Sequence, residues 1–357
     1  MKENLAYTFG ALDGISIDDH IISASGWVVG LETKVDDIII ECDGQPLPTH
    51  KVLFRGASPD VQQAHPDIPD AGECRFQLTA PLPYKRGEVN DGRLVAAIPR
   101  IGDRRGIPLE RILPLRLPVP RPEQSLMVGH GDFVETSFAM LALLRLVAHL
   151  PRNARVLEPG CGLGRIAFAL LHYLNGSGRY EGFDVSHEAI QLAQSMFAGT
   201  GNALFRHVDL YNRMYNQAGK LRAEDFSFPY PAANFDFVIL TSVFTHMLPN
   251  DVRRYLVEIA RTLSPGGTCF ATFFALDAVA RENLRTGKAA LNIVTPYAHG
   301  CFVLSASVPE NAVAYDHSML CEMIAQAGLT IEKTYWGKWS GRRPFLSYQD
   351  TFLLRKP

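Results

Sequence analysis

Apolar residues along this 357-residue chain recur with two different spacings, and the change falls near residue 120. Before that point the apolar runs are short and β-branched. HIISASGWVV (20–29) and VDDIIIECD (35–43) read as strands, and the Asp43-Gly44 pair closing the second marks a tight turn. HKVLF (50–54), CRFQLTA (74–80) and GRLVAAIP (92–99) continue the series. SPDVQQAHPDIPDAG (58–72) reads as a surface loop with one helical turn. Short strands separated by turn signals predict a small all-β sandwich or barrel. LPLRLPVPRP (113–122) then carries four prolines, which remove amide donors and fix φ, so it suits an extended connection. The domain boundary is placed there, giving units over 1–118 and 119–357.

Beyond the boundary, helix-like and strand-like periods alternate. SFAMLALLRLVAHL (137–150) has helical spacing. The order is then strand 154–159, helix 165–175, strand 179–185, helix 187–199, strand 203–209 and, after an irregular stretch, strand 235–242, helix 250–263 and strand 268–274. Such alternation predicts a parallel sheet with helices on both faces. The tail departs from it. A helix over 317–329 precedes strands at 329–339 and 347–356 joined by a loop alone, which predicts that the sheet ends in an antiparallel hairpin.

VLEPGCGLG (156–164) lies where a strand gives way to a helix. That turn places backbone N–H groups at the carboxyl edge of the sheet, where open α/β folds bind ligands, and glycine lets the chain turn sharply and come close to one. The dinucleotide fingerprint GxGxxG fails, because Arg165 stands where its third glycine belongs; the spacing is GxGxG, with Gly160, Gly162 and Gly164.

With Glu158 two residues ahead, this stretch resembles the first motif of class I S-adenosylmethionine-dependent methyltransferases. The downstream order extends the resemblance over residues 130–357: Asp184 ends the second strand, Asp209 the third, FDFVILTSVFTHML (235–248) is similar to the fourth-strand motif, and LSPGG (263–267) to the turn into the fifth strand. It implies a Rossmann-like, seven-stranded methyltransferase sheet and S-adenosylmethionine as the cofactor. The glycine loop, with Cys161 in it, is then expected against the amino-acid and sulfur end of the donor. Glu158 is expected to orient the donor's ammonium, Asp184 to accept from both ribose hydroxyls and Asp209 from the adenine amine. Val185 and Leu210 would flank the ring, and Thr241 would line the methyl channel. The first unit loosely resembles Ig-like β-sandwich modules of bacterial glycan-pathway transferases; Trp27 and Phe76 suit a packed core there, and the module is the expected surface for a homo-oligomer.

Methyl transfer from a sulfonium is an in-line displacement, so alignment supplies much of the rate. A hydroxyl acceptor gains from a general base. The candidates are His246 in SVFTHML, His317 in AYDHS and Tyr348 in SYQD, each of which also has a structural reading as a loop brace, a helix cap or a strand residue. Asp350, in the last hairpin, is expected to face the acceptor; Phe133 and Glu135 lie in 129–138, a segment that the resemblance implies closes over the cofactor; and 275–316 is expected to form a lid. No Asp-Asp or Asp-Asn pair follows the fourth strand, so no metal is expected; Asp251 is explained by the start of a helix. The absence of [ND]PP[YF] at 241–244 lowers methylation of nucleobase or amide nitrogen. Trp336, Trp339, Arg342 and Arg343 suggest stacking on a sugar or ring and contact with an acid group.

Composition sets the partners. A net charge of −2, with no long basic block, leads to the expectation of no nucleic-acid partner and a small-molecule or glycan acceptor instead, unless a local basic patch escapes the count. No apolar run reaches membrane-spanning length, the N-terminus lacks a signal-peptide core, and the six cysteines form no CxxC pair; a cytoplasmic protein with reduced thiols is expected, without stable membrane insertion. The main expectation is O-methylation of a sugar, glycan or secondary-metabolite hydroxyl. The alternatives are a donor-binding scaffold without catalysis, transfer to an amine or carboxylate, and a nicotinamide oxidoreductase, which the failed GxGxxG disfavours.

Overall fold

A computed structural model describes residues 5–18, 20–82, 92–125, 131–213 and 215–357. These residues fall into two compact units, one made of the described parts of 1–125 with 131–147 and 168–173, the other of 148–167 and 174–357.

The first unit is built on two antiparallel sheets. One has the order Thr8–Asp18, Ile21–Gly30, Glu73–Pro81, His50–Ala57; the other runs Gln45–Pro46, Asp37–Cys42, Arg93–Ile101, Arg104–Arg105, with Leu109–Leu113 also paired to Arg93–Ile101. Strict alternation turns Ile22, Ala24, Phe76 and Leu78 inward from one sheet, to pack with Ile38, Ile40, Val95 and Ala97 of the other. Asp43 and Gly44 both have positive φ, 50° and 80°, as the mirror-image turn of a two-residue hairpin requires. Thr8–Asp18 was not among the expected strands. Gly10 and Gly14 break its apolar alternation. At Gly10 the reason is steric, because a Cβ there would stand 2.3 Å from the Trp27 carbonyl oxygen. Helix α1, Phe133–Ala148, also belongs to this unit.

The second unit carries the alternating pattern. Its strands are β1 Arg155–Pro159, β2 Arg179–Asp184, β3 Ala203–His207, β4 Phe235–Leu240, β5 Leu263–Phe273, β6 Thr330–Tyr335 and β7 Asp350–Arg355, in the sheet order β3-β2-β1-β4-β5-β7-β6. β1 to β5 are parallel to their neighbours, and β7 lies antiparallel between β5 and β6. The helices that follow are α2 Arg165–Tyr173, of which 168–173 group with the first unit, and α3 His187–Met196, α4 Pro249–Thr262, α5 Ala278–Arg285 and α6 His317–Gln326 of the second. Strand order reverses between β1 and β4, which opens a crevice at the carboxyl edge there. The core under it joins Leu157, Phe183, Val238 and Ala271 of the sheet to Leu256 and Ile259 of α4 and Leu320 and Ile324 of α6.

The segment after β5, expected as a lid, is a small sheet of its own. Ala275–Leu276, Val313–Asp316, Cys301–Val303 and Thr295–Ala298 pair in that order, with α5 capped by Asp277, whose carboxylate accepts from Ala280 N at 2.9 Å. Phe274, Leu276, Ala280, Ile293 and Trp339 pack together within it. Asp350, proposed from the sequence as an acceptor-facing residue, is instead fully buried. It accepts from Ala275 N at 2.8 Å, Gly337 N at 2.7 Å and Trp339 Nε1 at 2.7 Å, so it ties the first strand of this small sheet and the β6–β7 connection to β7. Trp339 is likewise wholly buried, which removes it as a stacking platform.

Replacing Asp350 with alanine strands three buried donors. The expected cost is roughly 2–4 kcal/mol. Thermal unfolding should show a midpoint several degrees lower, and a midpoint unchanged to within about one degree would contradict this role.

Candidate active site

Geometry at the end of β1 follows from one carbonyl. Phe183 O, on β2, accepts from Gly160 N at 2.8 Å and Cys161 N at 3.2 Å, so the chain leaving β1 is pulled across the top of β2. To bend there, Gly160, Gly162 and Gly164 take φ of 76°, 54° and 86°, a region that side chains penalise. Gly162 N then donates to Asp184 Oδ2 at 2.8 Å, while Asp184 Oδ1 takes Ser186 N at 2.8 Å. Burial raises the Asp184 pKa against the pull of these amides and of nearby His207. Val208 N donates to Asp184 O at 3.0 Å, which brings the end of β3 alongside. The glycine loop and Asp184 are thus joined at the carboxyl edge of the sheet, with Val185 next in sequence.

Beneath that loop, Glu158 is 3% exposed and accepts the Tyr180 hydroxyl at 2.5 Å. Burial pushes its carboxyl from 4.5 up to about 8; the Tyr180 hydrogen bond and Arg165 work against this, and Asp184 works with it. Asp209 sits at the base of a loop, 210–222, whose ends meet. Its carbonyl accepts from Lys220 N and Leu221 N at 3.0 Å, and its carboxylate takes Asn216 Nδ2 at 3.4 Å. Leu210 is buried at 2% exposure, whereas Val185 is half-buried at the lip.

Thr241 follows β4, half-buried. Val243 comes down on the glycine loop, where a Cβ at Gly160 would meet its Cγ2 at 2.5 Å. Ser242 has φ of 57°, and it is held by a chain of hydrogen bonds: Ser242 N to Thr272 Oγ1 at 2.9 Å, Thr272 Oγ1 to Gln349 Oε1 at 2.6 Å, and Gln349 Nε2 to Ser242 Oγ at 2.9 Å. His246 is half-buried with Nδ1 2.9 Å from the Glu310 carbonyl. Because a carbonyl only accepts, the neutral ring carries its proton on Nδ1 and leaves a lone pair on Nε2.

His317 opens α6 and packs against Trp336 (ring centroids 5.5 Å apart), Phe352 and the Cys321 thiol. It faces Asp277, where burial is outweighed by the Arg342 ion pair, the Ala280 amide and His317, so that the carboxyl is lowered. Arg342 lies 4.2 Å over the Trp336 ring. The structure does not join His246 to His317 directly. Tyr315 lies between them, donating its hydroxyl to Met247 O at 2.6 Å. Tyr348 is 39% exposed and edge-on to Phe274. In the first unit, Phe133 is buried against Phe168 and Glu135 pairs with Arg111. Residues absent from the sequence expectation are Tyr180, Val243, Gln349 and Asp277. Each depends on register or on a distant partner, and only Gly182, two residues after Tyr180, left a signal.

Residues 157–271 match the methyltransferase domain family. The chain carries a class I S-adenosylmethionine-dependent methyltransferase domain. Its cofactor is S-adenosylmethionine, and the residues of the crevice fit that molecule: bare left-handed backbone beside a buried acid at Glu158, and a second acid at Asp184 with oxygen lone pairs to spare. Human tRNA N(3)-cytidine methyltransferase METTL2B is 30% identical over 114 residues, 32% of this chain and 28% of its own length; chicken METTL2 is 32% identical over 115 residues, again 28% of its length. The matched stretch therefore spans under a third of those relatives. Among solved structures, the PH0226 protein of Pyrococcus horikoshii aligns over 67% of this chain and all of its own, at 18% identity and TM-score 0.44. A methyltransferase of Methanosarcina mazei aligns over 58% of this chain and 95% of its own, at 18% identity and TM-score 0.38.

The exclusion of nucleic acid drawn from net charge does not stand, because relatives of the methyltransferase domain are enzymes named for tRNA. Net charge averages over the whole chain. Arg213, Lys220 and Arg222 lie in the 210–222 loop, Arg222 paired with Glu224, beside Tyr211 at 52% and Tyr215 at 56% exposure. Among the described residues, no helix is long and apolar enough to cross a membrane.

Two measurements check the donor crevice. Loss of two charge-assisted hydrogen bonds in Asp184→Ala should weaken S-adenosylhomocysteine by roughly 100-fold in calorimetry, and near-normal affinity would refute a ribose role. For Glu158, the folded chain keeps a proton up to pH about 8 that the unfolded chain loses near 4.5, so the group costs stability as pH rises through that window. The melting temperature of Glu158→Gln should exceed that of the parent by a margin that widens between pH about 5 and about 8 and then levels; a constant margin would contradict the buried, protonated carboxyl.

Proposed function

We propose that this chain transfers the methyl group of S-adenosylmethionine to a hydroxyl of a sugar or metabolite acceptor, with His246 as the general base. The Glu310 carbonyl at 2.9 Å from His246 Nδ1 carries this reading, since it holds Nε2 in the proton-accepting form. The cofactor supplies an electrophilic methyl on a sulfonium. Glu158, the glycine loop and Asp184 hold it by its amino-acid and ribose ends, and Asp209 takes the adenine amine. The turn after β4, with Thr241 and with Ser242 pinned by Thr272 and Gln349, walls the path to the methyl. With the donor bound, His246 Nε2 would take the proton of the acceptor hydroxyl while the sulfonium would supply the methyl group. The lid sheet, His317 and Tyr348 face the acceptor from the other side.

A second reading has its own support. The loop with Tyr211, Tyr215, Arg213, Lys220 and Arg222 suits stacking on bases and contact with phosphates, and the tRNA enzymes among the relatives point the same way. A cytidine ring nitrogen attacks with a lone pair it already has, so this acceptor needs no base.

Incubation with labelled donor, a panel of methyl glycosides and a tRNA transcript separates the two. Under the first reading a glycoside is labelled, and His246→Ala lowers that turnover by 10²-fold or more, on the order expected for a lost base, with S-adenosylhomocysteine affinity unchanged. Label on tRNA that survives His246→Ala favours the second reading. Tight S-adenosylhomocysteine binding without transfer to either acceptor would leave a donor-binding scaffold.

A further inference from the structure

A phenol and a carboxyl are shut away together beneath the glycine loop. Glu158 ends β1 and Tyr180 lies near the start of β2, wholly buried, giving its hydrogen to Glu158 Oε2 at 2.5 Å. Register explains the reach. Glu158 is opposite Gly182 and Val156 opposite Tyr180, so Tyr180 stands one same-face position behind Gly182. The missing side chain at 182 keeps the path open: a Cβ there would lie 2.7 Å from the Tyr180 oxygen and 2.8 Å from Cys161 Sγ. The Tyr180 ring is braced on Phe205, with centroids 5.4 Å apart. A hydroxyl has thus been threaded through a side-chain-free gap to one acid, directly under the loop that receives the donor.

Resting on the donor-site reading, we propose that Tyr180 is a positioning residue: its hydroxyl holds the Glu158 carboxyl in place to pair with the ammonium of the donor's amino-acid end. The groups facing Glu158 are Tyr180 and Asp184 of β2, Cys161 of the loop and Arg165 of α2. Burial dominates and Asp184 adds to it, so without a cation beside it the acid keeps its proton; an ammonium reverses the balance, and that proton passes to solvent as the pair forms. Binding and ionisation are then linked, and affinity for a ligand with an ammonium rises with pH until Glu158 is ionised without help.

Calorimetry on the full chain distinguishes this from packing. S-adenosylhomocysteine carries the amino-acid end and 5′-methylthioadenosine lacks it. In two buffers of different ionisation heat near neutral pH, the parent should release a proton on binding the first and not the second, and Glu158→Gln should release none. Tyr180→Phe keeps the ring and should weaken S-adenosylhomocysteine roughly tenfold, leaving 5′-methylthioadenosine within about twofold. Gly182→Ala should give the same pattern by filling the gap. The proposal is overturned if Tyr180→Phe binds S-adenosylhomocysteine like the parent, if both ligands weaken equally, or if Glu158→Gln still releases a proton. A parent chain that binds neither ligand would sink the donor-site reading itself and this proposal with it.

Discussion

Two amides sharing the carbonyl of Phe183 fold the exit of β1 over β2, and the rest of the crevice depends on that crossing. It forces three glycines into left-handed backbone. It aims Gly162 N at Asp184, and it leaves Glu158 walled in below. Acids in a low-dielectric cleft cost free energy unless something compensates them. Here Asp184 is met by two amides and Glu158 by one phenol, so the two carboxyls behave differently though they close neighbouring strands. One is fixed by backbone donors, the other by a single side chain.

The two sides of the crevice are made by different means. Around Gly160–Gly164, backbone does the shaping, and side chains are absent where they would obstruct. Around the β4 exit and the small sheet after β5, shape comes from long-range ties: Gln349 reaching Ser242, Glu310 holding His246, and Arg342 stacked on Trp336 while paired with Asp277. The β4 exit belongs to both, since Val243 packs on Gly160 and Ser242 answers to Gln349.

That division explains what could be read from the residues alone. The alternating core of the second unit and the glycine loop were legible because each rests on local constraints: a hydrophobic period, a bend that excludes Cβ, an acid at a strand end. Thr8–Asp18 was missed because close backbone approach, not an apolar stripe, selects Gly10. The lid was legible as an insertion, but its strands of two to four residues are too short to show a period. Asp350 and Trp339 looked available because neither announces the partner that buries it. Tyr180 was invisible because its meeting with Glu158 depends on the β1–β2 register. The 210–222 patch vanished into a net charge near zero.

The place of β7 has a further consequence. β5 is almost wholly apolar and buried beyond its first turn, and one of its edges is completed by a strand that the ribosome makes only after the lid, α6 and β6. Until Asp350–Arg355 are made, that edge of β5 offers unpaired main-chain donors and acceptors, and closing it is left to the last strand of the sheet.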